Sequence, residues 1–259
     1  MTFIRDYRTK LVRLGFSFLC AGMLHACAFN GDVSAKKAAD AAQFNAQLGA
    51  QYLNRGQLEQ AREKLLKALE QDEANALAHV TYAQLQARVS QPTSALKHFK
   101  LALSLEPDEP DHNNSFGIYL CQEGRFDEAQ EQFRVAADNA YYGTPEFALD
   151  NAGICMLQAE RLSEAENYLR EALRVNPQFA SAYLNMADLM HRYERLAVAD
   201  AYYQRFTAYG PDTAESLWLG VKIKRDAGKI DTAEQFATRL LNQFPASKQA
   251  GEYLSRPIQ

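Results

Sequence analysis

The sequence has 259 residues, of which 47% are hydrophobic, and a formal net charge of −4. This hydrophobic content is ample for a folded core and excludes a largely disordered chain. The acidic balance makes the surface a poor counterion for nucleic acid, because nucleic-acid binding depends on clustered Lys and Arg.

The first 26 residues have the layout of a secretory signal. Four basic residues precede an uncharged apolar stretch from Leu14 to Leu24, which is the arrangement that directs export. A membrane-spanning helix would need about twenty apolar residues, more than this stretch supplies. We therefore expect residues 1–26 to be removed as a signal peptide.

The end of that signal, "LHAC", resembles the lipobox of bacterial lipoproteins. The resemblance implies that Cys27 carries a covalent diacyl or triacyl lipid and becomes the mature N-terminus. Because Ala28 rather than Asp follows it, the same resemblance implies sorting to the outer membrane of a Gram-negative bacterium, on its periplasmic face. The alternative is ordinary cleavage after Ala26, which would leave Cys27 as an unmodified thiol.

Cleavage before Cys27 would leave a more acidic chain with a short leading segment. The signal contains four of the 28 basic and one of the 32 acidic residues, so 24 and 31 remain, and the net charge becomes −7. Residues 27–41 are predicted to be the lipidated N-terminus and a flexible tether, since residues 28–41 are poor in large apolar residues. Fully stretched, such a tether reaches no more than roughly 50 Å.

A period of 34 residues dominates the rest of the chain. Six windows cover residues 42–75, 76–109, 110–143, 146–179, 180–213 and 214–247. Proline stands at position 32 of four windows, and bulky residues recur at positions 17 and 24. Small residues recur at positions 8 and 20; they are Gly49, Ala61, Ala83, Ala95, Gly117, Ala129, Gly153, Ala165, Ala187, Ala199 and Ala233.

This pattern is that of the tetratricopeptide repeat, a pair of antiparallel helices. Small residues at positions 8 and 20 let two helices approach to roughly 8–10 Å. The predicted fold class is therefore all-α, a right-handed superhelical solenoid of six helix-turn-helix repeats. Residues 248–259 are predicted to form a C-terminal capping segment, because the end of a solenoid needs a polar cover.

One irregularity separates the third and fourth windows. Thr144 and Pro145 are additional residues there, after the pair Tyr141 and Tyr142. We favour a slightly longer helix end accommodated by a loop. The alternative is an exposed aromatic contact made by the two tyrosines.

The first helix of each repeat is expected to line a concave face, where family members bind partners. Contiguous exposed apolar surface normally marks an interaction site, and we predict a partner-binding groove here. The alternative is that these residues pack between neighbouring first helices. The predicted residues are Leu53, Asn54, Leu77, Val80, Gln84, Arg88, Asn114, Ile118, Gln122, Phe147, Ile154 and Leu157.

The same positions of the last two repeats are more charged. They hold Asp188, His191 and Arg192 in the fifth repeat, followed by Trp218, Lys222 and Arg225 in the sixth. The predicted groove is thus mainly apolar in the first repeats and mixed in the last.

Cys121 and Cys155 fall at positions 12 and 10 of successive windows, on neighbouring first helices. A disulfide needs Cα atoms within about 7 Å, which is tight for helices at ordinary packing distance. This geometry favours two free thiols, although an exported protein meets an environment in which a disulfide could form.

The sequence offers no arrangement of residues typical of catalysis. It contains no phosphate-binding glycine loop, no His-Glu-x-x-His and no Cys-x-x-Cys, and its histidines share no ligand spacing. We therefore predict that the protein is not an enzyme and holds neither metal nor dissociable cofactor.

The six repeats behind a lipobox resemble one family, the type IV pilus biogenesis and stability lipoproteins of the PilF/PilW group. "LDNAGICMLQAERLSEAENYLREALRVNP", from Leu149, is similar to that family's fourth repeat, and "NMADLMHRYERLAVADAYYQRF", from Asn185, to its fifth. The resemblance implies a secretin pilotin: a protein that binds the outer-membrane secretin of the type IV pilus and promotes its localisation or multimerisation. It also implies a groove in the early repeats and possible contacts with other pilus assembly proteins. The alternative is a repeat scaffold that organises cell-wall enzymes or outer-membrane protein assembly.

Overall fold

The computed structural model of the protein describes residues 34–255. Within that range the chain forms thirteen helices and no strand. Residues 1–33, and with them the predicted signal, Cys27 and the start of the predicted tether, lie outside the described residues. The helices are α1 (34–54), α2 (Leu58–Gln71), α3 (Ala76–Arg88), α4 (Pro92–Leu105), α5 (Pro110–Gln122), α6 (Phe126–Asp138), α7 (Pro145–Gln158), α8 (Leu162–Val175), α9 (Ala180–Arg192), α10 (Leu196–Tyr209), α11 (Ala214–Asp226), α12 (Ile230–Gln243) and α13 (Lys248–Ser255).

The described residues divide into two compact units. The first ends at Glu106 and contains α1 to α4, and the second begins at Pro107 and contains α5 to α13. Consecutive helices pack in pairs, α3 with α4 in the first unit, and α5 with α6, α7 with α8, α9 with α10 and α11 with α12 in the second. Each pair is the helix-turn-helix unit that the 34-residue period predicts.

The first helix begins earlier than the sequence analysis expected. Residues 34–41 were predicted to belong to a flexible tether, and they are helical instead. The stretch "SAKKAADA" is rich in alanine and lysine, which are among the strongest helix formers. Burial of Ala42 and Ala46 then anchors the helix to the first unit.

Each repeat turns at the same position. A residue with positive φ, between 56° and 74°, stands at position 15 of all six windows. Glycine, which adopts this conformation without strain, fills it at Gly56, Gly124 and Gly228, whereas Ser90, Glu160 and Glu194 fill it elsewhere. Each repeat therefore has one residue in the left-handed conformation at its turn, including the three repeats in which that residue is not glycine.

The small residues at positions 8 and 20 are all buried. The structure shows what the glycines at position 8 accommodate. A Cβ atom added to Gly117 would lie 2.7 Å from the ring of Phe133, and one added to Gly153 would lie 2.6 Å from Leu169. Position 8 is small because the bulky side chain of position 24, on the second helix of the same repeat, packs directly on it.

A buried ion cluster joins α10 to the end of α11. Asp200, which is 4% exposed, accepts hydrogen bonds from Lys224 and from Lys229, the latter at 2.6 Å. Burial raises the pKa of Asp200, but the two lysines more than offset this effect and hold that pKa below its usual value. The carboxylate is therefore charged and fully paired inside the second unit.

The connection between α6 and α7 differs from the favoured prediction. The helix before it is not extended, because α6 ends at Asp138 and a loop fills residues 139–144. Asn139 fixes this loop, donating through Nδ2 to the Asp108 carbonyl at 2.7 Å and accepting from the Tyr141 amide at 2.9 Å. Tyr141 is 97% exposed, whereas Tyr142 is half-buried and burial raises its pKa.

The C-terminal helix α13 packs on α11 and α12. Its Ala250 is fully buried in a cluster with Leu217 and Leu240, and Tyr253 packs against that cluster. None of the helices in residues 34–255 combines the length and the apolar character that crossing a bilayer requires.

Candidate protein-binding surfaces

In the first unit, some of the predicted groove residues are buried and others are accessible to solvent. Leu53 and Val80 are each only 4% exposed, so a partner cannot reach them and their prediction as contact residues is wrong. Leu53 belongs to the core because its side chain packs with Ala61 and Leu65. Of the other predicted residues in this unit, Asn54 and Arg88 are exposed, and Leu77 and Gln84 are half-buried.

Arg88 ties two repeats together. Its Nη1 atom donates a hydrogen bond of 2.7 Å to the carbonyl oxygen of Leu53, at the end of α1. The same carbonyl accepts from the Gly56 amide at 3.0 Å, so Arg88 adds a second partner at a helix C-terminus, where carbonyls lack the usual helical partner. Arg88 is therefore a structural residue of the first unit as well as an exposed one.

The first unit also carries a groove that the sequence analysis did not predict. It lies between the start of α2 and the end of α3 and encloses about 290 Å³. Leu85 forms its buried floor and Val89, which is 42% exposed, forms part of its rim. The full lining is Leu58, Glu59, Arg62, Tyr82, Leu85, Gln86 and Val89.

This groove was missed because its lining residues stand at positions that normally pack inside a repeat stack. Tyr82 and Leu85 follow the apolar spacing of a core helix face. The sequence signal that could have indicated it is Val89, an apolar residue in the turn that follows α3. Such turns usually carry polar residues.

A polar pair lies close to the groove in the first unit. His79 Nε2 donates to the carbonyl of Glu73 at 2.9 Å, since a carbonyl only accepts, and His79 Nδ1 is hydrogen-bonded to His98 Nδ1 at 2.9 Å. Burial, with a further contribution from His79, lowers the pKa of His98 from 6.5 to about 4. The Tyr82 ring packs edge-on against His98. Both imidazoles are thus used in holding α3 to α4.

In the second unit, α5 and α7 present the remaining predicted groove residues. Leu157 is 5% exposed, so its prediction as a contact residue is also wrong. Ile118 and Phe147 are 37% and 49% exposed. Asn114, Ile154 and Gln122 are half-buried or exposed.

Two side-chain contacts fix the accessible residues of this face. Asn151 Nδ2 donates to Asn114 Oδ1 at 3.0 Å. The ring of Phe147 packs edge-on against Phe179 with centroids 4.8 Å apart. The face therefore offers ordered amide and apolar groups to a partner.

A disulfide joins Cys121 of α5 to Cys155 of α7, with Cα atoms 5.7 Å apart. The expectation of two free thiols is wrong, because a Cα–Cα distance of 5.7 Å is within the range that a disulfide needs. Each Cα lies about 2.3 Å from its helix axis, so helices at the ordinary axis separation of about 8–10 Å can bring facing Cα atoms this close. Positions 12 and 10 of successive windows can face each other because packed helices generally cross at an angle. The bond locks α5 to α7 beneath the accessible face.

Asp150 is a buried acid between α7 and α9. It is 4% exposed and accepts hydrogen bonds from Ser181 Oγ at 2.5 Å and from Asn185 Nδ2 at 2.9 Å. Burial raises its pKa, and the two hydrogen bonds oppose this effect only in part. Because the Asp150 carboxyl is buried and hydrogen-bonded to Ser181 and Asn185, its role is to hold α7 against α9.

No protein-family model matches the sequence. The sequence is 30% identical to the type IV pilus assembly protein PilF of Pseudomonas aeruginosa over 246 residues, which cover 93% of this chain and 98% of PilF. The chain belongs to the PilF family.

Solved structures agree with the sequence relationship. The structure of PilW, a widely conserved type IV pilus biogenesis factor, matches with a TM-score of 0.73 at 29% identity, over 82% of this chain and 98% of PilW. The structure of Pseudomonas aeruginosa PilF matches with a TM-score of 0.71 at 30% identity, over 85% of this chain and 99% of PilF. A tetratricopeptide repeat protein of Parabacteroides merdae, at 18% identity and a TM-score of 0.65, shares the fold alone.

Membership of the PilF family makes this protein a tetratricopeptide-repeat protein of type IV pilus biogenesis. The predictions of an all-α repeat fold and of this family are confirmed. As a PilF-family repeat module the protein is non-catalytic, and it acts through protein partners in pilus assembly.

Proposed function

We propose that the protein is a lipid-anchored pilotin that binds the type IV pilus secretin and promotes its localisation or multimerisation in the outer membrane. The observation that carries this proposal is the relationship to PilF, which spans 93% of the chain. Accessible, ordered surfaces in each unit supply places where a partner segment could bind.

The lipid anchor is part of this proposal. The "LHAC" motif supports lipidation at Cys27, and two or three acyl chains would hold the protein on the bilayer nearly permanently. Since α1 includes residue 34, seven residues from Cys27 to residue 33 precede it. Those residues can reach at most about 25 Å. The anchor would therefore hold the first unit close to the periplasmic surface of the outer membrane.

The groove of the first unit is our candidate for the secretin segment. Its floor and rim are apolar at Leu58, Leu85 and Val89, and Arg62 and Glu59 stand at its edge. A groove of this kind suits an apolar side chain from the partner, with the charged edge fixing its orientation. The exposed residues of α5 and α7 offer a second contact area in the other unit.

Deletion of the gene tests the pilotin role. Unheated membrane extracts are run on a gel and probed for the secretin. Loss of secretin multimers with the monomer retained supports the proposal. Unchanged multimers reject it and favour the alternative, a scaffold for cell-wall enzymes or outer-membrane protein assembly.

Cys27→Ala tests the anchor by itself. We expect this variant to move from the sedimented membrane fraction to the soluble periplasmic fraction, because the lipid would no longer be attached. If the variant still sediments with membranes, the lipid anchor at Cys27 is wrong.

Val89→Glu tests the groove, and Val175→Glu is its matched control because both valines are 42% exposed. We expect Val89→Glu to reduce capture of the secretin by about tenfold, since a buried charge opposes an apolar contact. Val175→Glu should leave capture unchanged. Equal capture by the two variants would remove the groove from the proposal.

A further inference from the structure

The second unit contains a pocket formed by the last repeat and the C-terminal helix, apart from the groove that we propose for the secretin. It lies between α11 and α13 and encloses about 420 Å³. Trp218, Lys222 and Arg225 line it on α11, and Glu252 and Ser255 line it on α13.

The three residues of α11 form one continuous face. They are spaced i, i+4 and i+7, so they lie above one another on the helix surface. The Trp218 ring is held by an edge-on contact with Tyr253 of α13, with centroids 6.4 Å apart. The pocket thus has an ordered aromatic wall beside two cationic side chains.

The charges around the pocket leave positive groups available. Arg225 Nε donates to Asp226 Oδ1 at 3.0 Å, and the other oxygen of Asp226 lies 2.7 Å from His191 Nε2. Asp226 is therefore already engaged on both oxygens. Glu252 lies 3.7 Å from Lys248. Within the described part of the chain, Lys222 forms no ion pair.

We propose that this pocket binds an acidic segment of a partner protein in which a carboxylate stands beside an aromatic side chain. The carboxylate pairs with Lys222 and Arg225, whose guanidinium retains donors that Asp226 does not use. The aromatic side chain packs on Trp218. Because the chain as a whole carries a net charge of −4, an acidic segment is repelled at long range, and local cations such as Lys222 and Arg225 are needed to bind it.

The proposal concerns a second docking site, separate from the groove of the first unit. It rests on the pocket's own residues and does not require the partner to be the secretin. An anionic membrane surface is a different occupant for the same charges. The aromatic wall and the concave shape of the pocket favour a side chain over a flat bilayer.

Trp218 provides a direct readout because it is the single tryptophan of the sequence. Its fluorescence is recorded while two synthetic peptides are added, acetyl-EFDFE-amide and the basic counterpart acetyl-KFKFK-amide. We expect a saturable change with the acidic peptide alone, and weaker binding as sodium chloride rises from about 20 mM to about 300 mM.

Two charge-reversal variants complete the test. Lys222→Glu should weaken binding of the acidic peptide about tenfold, whereas Lys100→Glu, at an exposed lysine of α4, should leave it unchanged. Val89→Glu should also leave it unchanged, so that failure of this proposal is distinguishable from failure of the pilotin groove. Circular dichroism checks that each variant is folded.

Four results would overturn the proposal. They are the absence of saturable binding of the acidic peptide, equal binding of the basic peptide, an unchanged affinity in Lys222→Glu, and a Trp218 response to phosphatidylglycerol vesicles without one to the peptide.

Discussion

Substitution of Gly117 by leucine tests the contact between positions 8 and 24 that the glycines at position 8 make in three repeats. Gly117 lies on α5 at position 8, and the ring of Phe133 on α6 packs directly on it. An added Cβ would lie 2.7 Å from one ring carbon and 2.8 Å from the next. Because carbon atoms prefer separations of about 3.5 Å or more, α5 and α6 would have to separate by about 0.8 Å.

The expected cost follows from that overlap. Phe133 is 1% exposed, so the ring has no open space to move into, and overpacking of this kind costs about 1–3 kcal/mol. Replacing glycine by a better helix former returns up to about 1 kcal/mol. We therefore expect Gly117→Ala to cost about 1 kcal/mol and Gly117→Leu, with three more carbons, about 3 kcal/mol or more.

Urea unfolding followed by circular dichroism measures these differences. Gly251→Ala is the matched control, because Gly251 lies in α13 and, beyond its own stretch of helix backbone, no atom lies within 4 Å of its added Cβ. That control should unfold at the same or a slightly higher urea concentration. In a Phe133→Ala background the cost of Gly117→Leu should shrink, since leucine then fills the space the ring has left.

The reasoning is refuted if Gly117→Leu unfolds like the parent protein. It is also refuted if the cost of that substitution is as large in the Phe133→Ala background as in the parent. Either result would mean that the contact between positions 8 and 24 does not set the helix spacing.

Three further predictions concern charge, protonation and backbone conformation. Asp200→Ala should lower the free energy of unfolding by about 3–5 kcal/mol, because it leaves the buried Lys224 without a partner. Urea unfolding measures this loss, and a loss below about 1 kcal/mol would contradict the prediction. The pKa of His98 falls from 6.5 to about 4 on folding, so the unfolded chain takes up the proton first and stability should decline as the pH falls from 6.5 to about 4. After allowance for solvent screening the decline is about 1–2 kcal/mol, and His98→Phe should flatten the measured pH dependence. Gly124→Ala should lower the free energy of unfolding by about 1 kcal/mol because φ is positive at that position. Glu194→Gly, at another position with positive φ, should be neutral or should raise the free energy of unfolding by up to about 1 kcal/mol. Thermal melts that rank the two variants in the opposite order would contradict this assignment.

The helix pairs could be predicted because their cause is local and repeats along the chain. Small residues at positions 8 and 20 recur every 34 residues, and α3 and α5 begin at the first residues of their windows, Ala76 and Pro110. The left-handed turn residue could be predicted at Gly56, Gly124 and Gly228. At Ser90 and Glu160 it could not, because those residue types do not mark a positive φ.

The candidate surfaces were only partly predictable. Leu53, Val80 and Leu157 stand at positions that often face a groove, yet neighbouring helices cover them. The repeat register gives the direction in which a side chain points. It does not give how far the next helix covers that side chain.

The sequence by itself determined the helix-turn-helix unit, its length and the family, since these depend on residue types at fixed spacing. Only the tertiary structure decided that Cys121 and Cys155 bond, that Asp200 pairs with two lysines, and that α11 and α13 enclose a pocket beside Trp218. Each of these depends on the distance and crossing angle between helices that are far apart in the chain. Those two quantities are set by the packing of all the intervening side chains together, and no single repeat encodes them.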